Sequence, residues 1–144
     1  MADYESAQGQ CLCGAVKVTC PEMSLNVGAC HCTMCQQWTG GPFMAVECGS
    51  NVSFEGKDAI TTYSSSDWAD RGFCSHCGTH LFYRFKHSDQ YMMPAGLFGD
   101  SHEFNFTQQI FIDEKPNYFC FANDIKAMTG AEVVAIFAGE SESN

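Results

Sequence analysis

Cys74-Ser75-His76-Cys77-Gly78 carries two thiols that one turn can aim at a single ion, and a glycine that lets the backbone fold back towards the sulfurs. Two sulfurs leave a soft cation such as zinc half-coordinated, so the stretch demands two more ligands from elsewhere. Two other clusters offer thiols: Cys11-Leu12-Cys13-Gly14 and Cys30-His31-Cys32-Thr33-Met34-Cys35. The economical division joins Cys11 and Cys13 to Cys74 and Cys77 in a closed four-thiolate site. That site ties the N-terminal hairpin to the middle of the chain and contributes on the order of 10 kcal/mol to folding. Cys30, Cys32 and Cys35 then form a second centre, with a fourth position left to water, substrate or another side chain. Three protein ligands plus an exchangeable one is how catalytic zinc sites are built. The expected complement is two Zn2+ per chain.

Competing readings of the cysteines fit less well. A disulfide framework conflicts with the short C-x-C spacing and with the absence of a secretory leader pattern. A redox C-x-x-C at Cys74–Cys77 or Cys32–Cys35 lacks the flanking βαβ pattern. Cys20, Cys48 and Cys120 are isolated and read as small apolar residues, with Cys48 the one candidate for a fourth ligand. His31 lies between ligands, so its ring is expected to point away and to act behind the metal or as a proton carrier. His76 and His80 read as surface or ligand-supporting groups, and His87 and His102 as solvated.

The 144 residues, 45% of them hydrophobic, suffice for one domain with an ordinary core, expected over 9–138 with flexible termini at 1–8 and 139–144. The net charge of −10, deepened by metal thiolates to about −13, excludes nucleic acid and disfavours an anionic membrane. No apolar run approaches the ~18 residues of a membrane span. Met1–Gln10 has no basic or apolar leader region, which predicts a reducing, cytoplasmic setting. No oligomeric state is specified.

Short β-type runs recur at Ala15–Cys20, Phe43–Cys48, Asn51–Phe54, Ile60–Tyr63 and Thr79–Phe85, with weaker ones at Gln90–Ala95 and Gln108–Asp113. Breaks are expected at Gly14, Gly28, Gly40–Gly41, Gly56 and Gly72. Thr33–Trp38 predicts a short helical turn, and Thr129-Gly-Ala-Glu132 a capping box before an apolar helix. The fold class is therefore mainly β, antiparallel, with few short helices.

The ordered motifs Cys11-Leu-Cys13-Gly14-Ala15-Val16, Cys30-His31-Cys32-x-x-Cys35 with Gly40-Gly41-Pro42-Phe43, and Arg71-Gly72-Phe73-Cys74-x-x-Cys77-Gly78-Thr79 resemble the glutathione-dependent formaldehyde-activating enzyme family. Phe54-Glu-Gly56 and Tyr63-Ser64-Ser65 resemble its middle section. The resemblance implies a β "tent", a zinc on Cys11, Cys13, Cys74 and Cys77, and a second zinc on Cys30, Cys32 and Cys35. It also implies a carbon–sulfur lyase-type activity that joins glutathione or another small thiol to formaldehyde or a related aldehyde. Gln36 and Gln37 stand where family members often carry basic residues.

Zinc coordination deprotonates a thiol whose free pKa is near ~8.5, so thiol–aldehyde chemistry is expected in preference to hydrolysis at an electron-rich three-thiolate centre. Trp38, Phe43 and Phe98 are candidates for a pocket, with core packing as the plainer reading. Arg71 and Arg84 are candidate carboxylate partners, with ion pairs as the plainer reading. The alternatives to an enzyme are a zinc-stabilised binding module for a protein partner, in which Cys48 or His31 would close the second site, and a thiol redox sensor.

Overall fold

The computed structural model describes residues 3–143. In chain order the elements are β1 (Tyr4–Gln10), β2 (Lys17–Ser24), β3 (Asn26–Cys30), α1 (Thr33–Thr39), β4 (Phe43–Glu47), β5 (Ser53–Glu55), β6 (Ile60–Ser64), β7 (Ala69–Cys74), β8 (His80–Phe85), β9 (Tyr91–Pro94), β10 (Asn105–Ile110), β11 (Lys126–Met128) and α2 (Gly130–Ser143). The mainly β expectation holds. The chain forms two compact units, each built from two separated segments: 1–26 with 45–105, and 27–44 with 106–144.

In the first unit, β1, β2 and β5 make a three-stranded antiparallel sheet. Strands β4, β9, β8, β7 and β6 make an antiparallel run in that order. The core takes Val16, Val18, Met23, Val46, Leu81 and Met93, all at most 1% exposed. Burying side chains of this size contributes about 1.5–3 kcal/mol each. Along β2, Val18 and Cys20 face inward between exposed or half-exposed neighbours, the alternation the sequence announces.

In the second unit, β10 lies between β3 and β11. The β10–β11 pair is parallel, a departure from the antiparallel expectation. It arises because the chain between the two strands returns to the starting end of β10 rather than closing a hairpin. The capping box at Thr129 forms as predicted. The Thr129 backbone N–H donates to Glu132 Oε1 (3.1 Å) and the Glu132 N–H to Thr129 Oγ1 (3.2 Å).

Several elements differ from the sequence reading. Residues 4–8, expected as a flexible end, belong to β1, which pairs with β2 from Tyr4↔Ser24 to Gln10↔Lys17. Only Ala7 of β1 is buried, so the strand carries no apolar alternation to read. Residues 139–143 fall in the last turns of α2, which runs to Ser143. Positions 1, 2 and 144, also assigned as flexible, lie outside the described residues. Gly28 and Gly72 are not breaks but strand interiors in β3 and β7. Gly72 makes room for a neighbour, since a Cβ there would meet the Phe82 ring at 2.2 Å, whereas a Cβ on Gly28 would stand in ordinary contact with Gln108 Cγ at 3.4 Å.

Candidate metal centres

The first centre lies in the first unit and is made by two turns, each closed by a glycine: a three-residue return at Cys11 and a four-residue return at Cys74. The Gly14 N–H donates to Cys11 O (3.1 Å) and the Gly78 N–H to Cys74 O (2.7 Å), and both glycines take left-handed φ of +79° and +78°. The Val16 N–H points at Cys11 Sγ (3.3 Å), and the Thr79 hydroxyl lies 3.1 Å from Cys77 Sγ. That same hydroxyl accepts from the Leu12 N–H (3.0 Å), stitching one ligand turn to the other. All four sulfurs lie within 4.8 Å of one another, with Cys11–Cys13 at 3.6 Å and Cys13–Cys74 at 3.7 Å. A tetrahedral zinc thiolate site has sulfur–sulfur edges of about 3.8 Å, so these four residues fit such an ion.

Charge is unevenly distributed among these thiols. The Thr79 hydroxyl and backbone amide hold Cys77 down at about 5, against burial. At Cys13 the Ala15 amide pulls downward, but burial and the sulfurs of Cys11, Cys77 and Cys74 outweigh it and push the thiol up to about 12. Without a cation, the cluster keeps protons that a metal displaces.

The second centre lies in the second unit. Cys30 ends β3, Cys32 is the N-cap of α1, and Cys35 is buried in that helix's first turn. Cys32 Sγ accepts from the Cys35 N–H (3.3 Å), taking the place that a serine or aspartate oxygen usually fills at a helix start. The three sulfurs lie within 4.8 Å of one another, and no fourth His, Cys, Asp or Glu donor joins them among the described residues. Hydrogen bonds from Cys32 and Cys35, then burial, drive the Cys30 thiol far upward, so this cluster too holds protons in place of a cation.

Residues 6–114, which carry all seven of these cysteines, match the model of a family described as glutathione-dependent formaldehyde-activating enzyme. The chain belongs to this family. It is 34% identical over 135 residues to an uncharacterized lyase of Schizosaccharomyces pombe, an alignment spanning 93% of this chain and 96% of that protein. A crystal structure of a Rhodobacter sphaeroides protein is similar in fold, with a TM-score of 0.53 and 23% identity over 64% of this chain and 87% of the other.

The other residues singled out from the sequence of this family member fall as follows. His31 is fully buried, with Nε2 2.8 Å from Gln109 Oε1 and its ring tilted against Phe119 and Phe121. Cys48 is buried in the first unit, where its thiol donates to Val46 O (3.8 Å). Trp38 and Phe43 form an edge-on ring pair at 5.5 Å in the second unit, whereas Phe98 is core in the first. Arg71 is buried, with Nε 3.2 Å from Ser65 Oγ and its guanidinium 4.9 Å from the Tyr83 ring centre. Arg84 is held by Asp70 (2.5 Å) and Asp89. His76 and His87 are exposed, His80 is half-buried, and His102 pairs with Glu5 (2.7 Å) rather than being solvated.

Residues around the three-thiol centre that the sequence did not reveal are Gln109 and Glu114, and Gln36 has a role there that the sequence did not show. Gln36 Nε2 donates to His31 O (2.6 Å) and Glu114 O (2.9 Å), and Glu114 Oε1 accepts from the Thr33 N–H (2.9 Å). That carboxylate sits at the positive end of α1. Only the family pattern of basic residues after Cys35 drew attention to Gln36, which is committed to two carbonyls.

Proposed function

We propose that the chain is a zinc-dependent carbon–sulfur lyase that joins a small thiol such as glutathione to formaldehyde or a related aldehyde, and separates them in reverse. The observation that carries this reading is the three-thiol centre with no fourth protein donor among the described residues. The two side chains that would have closed it, His31 and Cys48, are bonded to Gln109 Oε1 and Val46 O instead. Membership of the family and the lyase name of the Schizosaccharomyces pombe relative support the same class of reaction.

Cys11, Cys13, Cys74 and Cys77 would hold the scaffold ion, and Cys30, Cys32 and Cys35 the second. Zinc held there would supply positive charge that favours the deprotonated form of a bound thiol near neutral pH. In the forward reaction a bond forms between the substrate sulfur and the carbonyl carbon, and the thiol proton ends on the former carbonyl oxygen. The protein's part would be to hold the three sulfurs close together for the ion. Cys32 fixes its sulfur through the Cys35 N–H, and Gln36 clamps the peptide of His31 between the first two ligands.

The test is exchange spectroscopy with 13C-formaldehyde and glutathione in the presence of zinc-loaded protein. Exchange between free aldehyde and adduct faster than the spontaneous rate, abolished in Cys32→Ser, supports the lyase. Exchange at the spontaneous rate sinks it. The binding-module alternative is favoured by one observation, the exposed Val134, Ile136 and Phe137 on α2. Cobalt-substituted protein separates the two readings: added glutathione shifts the ligand-field bands of an open centre and leaves those of a closed one unchanged.

A further inference from the structure

We propose that Gln109 is a positioning residue for the Cys30/Cys32/Cys35 centre and acts on it through His31. This inference rests on the reading of those three thiols as a metal centre. His31 is the one residue between Cys30 and Cys32, so wherever its backbone sits, both flanking sulfurs follow. That backbone is fastened from two elements. Its N–H donates to Ile110 O on β10 (3.1 Å), and its C=O accepts from Gln36 Nε2 on α1 (2.6 Å).

The ring completes the attachment. His31 is 0% exposed, and Nε2 donates to Gln109 Oε1, which belongs to a residue that is itself only 8% exposed. The other ring nitrogen, Nδ1, is buried with no hydrogen-bond partner, and the ring leans on Phe119 and Phe121 at centroid distances of 5.7 and 5.9 Å. Among the described residues, the bond to Gln109 is therefore the one polar contact that offsets burial of the imidazole. Removing the acceptor leaves both nitrogens unsatisfied in a dry environment, which favours rotation of the ring towards water. That movement is transmitted through one residue to two metal ligands.

Gln109 is well placed for this work. It lies in β10, which is flanked on one side by β3, the strand that ends in Cys30, and on the other by β11 through the pair Gln109↔Ala127. A strand bordered on both sides holds its side chains more firmly than a loop, and a metal site needs such support behind its ligands.

The experiment uses full-length protein loaded with cobalt, comparing wild type with Gln109→Met, which keeps the volume and loses the acceptor, and Gln109→Glu, which keeps the acceptor. Metal per chain, competition with a chelator and the ligand-field spectrum are read for each. In Gln109→Met the affinity of the three-thiol centre is expected to fall about tenfold, with altered band positions, while the four-thiol centre in the same molecule is unchanged. Gln109→Glu is expected to restore the wild-type spectrum. Wild-type affinity and bands in Gln109→Met overturn the proposal. So does loss of both metals or of the fold in Gln109→Met that Gln109→Glu does not reverse. A wild-type protein holding one metal only, in the four-thiol centre, overturns the underlying metal-centre reading before any variant is compared.

Discussion

Phe82 lays its ring against Gly72, its cross-strand partner in the β7–β8 pair, so closely that a Cβ on Gly72 would come within 2.2 Å of the ring's Cζ. Gly72→Ala therefore has to push aside an aromatic ring that also touches Phe54 and Tyr91. The expected cost is about 1–3 kcal/mol, the usual range for overpacking a filled core. Urea unfolding checks it: the midpoint should drop, and an unchanged midpoint would mean that the ring moves away freely.

The two centres should respond differently to loss of a ligand. Cys32→Ser is expected to remove one metal per chain while the fold and the other metal persist. Cys74→Ser is expected to remove the other metal and lower the unfolding temperature sharply, because that ion joins turns 61 positions apart in the chain. Metal analysis with circular dichroism decides between this and a shared dependence, in which either variant loses both ions.

Metal affinity should rise with pH across the neutral range. Cys13, held near 12, and Cys30, driven up by its neighbouring thiols, both keep their protons in the metal-free protein. Binding releases those protons, so affinity is expected to climb about tenfold per pH unit for each one released. Cys77, at about 5, is already a thiolate and adds nothing to the slope above that pH. Chelator competition at several pH values measures the slope, and a flat profile would contradict the proton count.

Thr129→Ala should cost about 1 kcal/mol of α2 stability. The variant removes the hydroxyl that accepts from the Glu132 N–H at the start of the helix. Amide hydrogen exchange in the first turn of α2 should accelerate, with β7 and β8 unaffected. Equal protection before and after would show that Asp113, whose Oδ1 accepts from the Gly130 N–H at 2.8 Å, holds the helix start alone.

The ligand clusters and most strands were legible because each is local: a C-x-x-C turn, an apolar alternation, a capping box. What stayed hidden depends on partners far along the chain. β7 reads as a loop because Asp70, Arg71 and Gly72 are poor strand formers. It is a strand because Arg84 meets Asp70, Tyr83 meets Arg71 and Phe82 meets Gly72 across one antiparallel pair. β1 shows no pattern because its single buried side chain is Ala7, which pairs with Cys20. Around the three-thiol centre the clustering of the cysteines could be read from spacing, whereas Gln109 could not. It lies 78 positions from His31 in a stretch of polar residues that resembles any surface strand until the fold brings the two together.

The two thiol clusters also differ in when they come into existence. Cys30, Cys32 and Cys35 leave the ribosome within six residues of one another, a chelating tripod from the moment it emerges. Cys11 and Cys13 must wait for Cys74 and Cys77, a delay of roughly several seconds at translation speeds of about 5–20 residues per second. During that interval the nascent chain presents an incomplete pair beside a finished trio, and any passing ion meets the trio first. If both clusters take up metal, scarcity during synthesis would be felt most by the cluster assembled last, whose ion would join turns 61 positions apart.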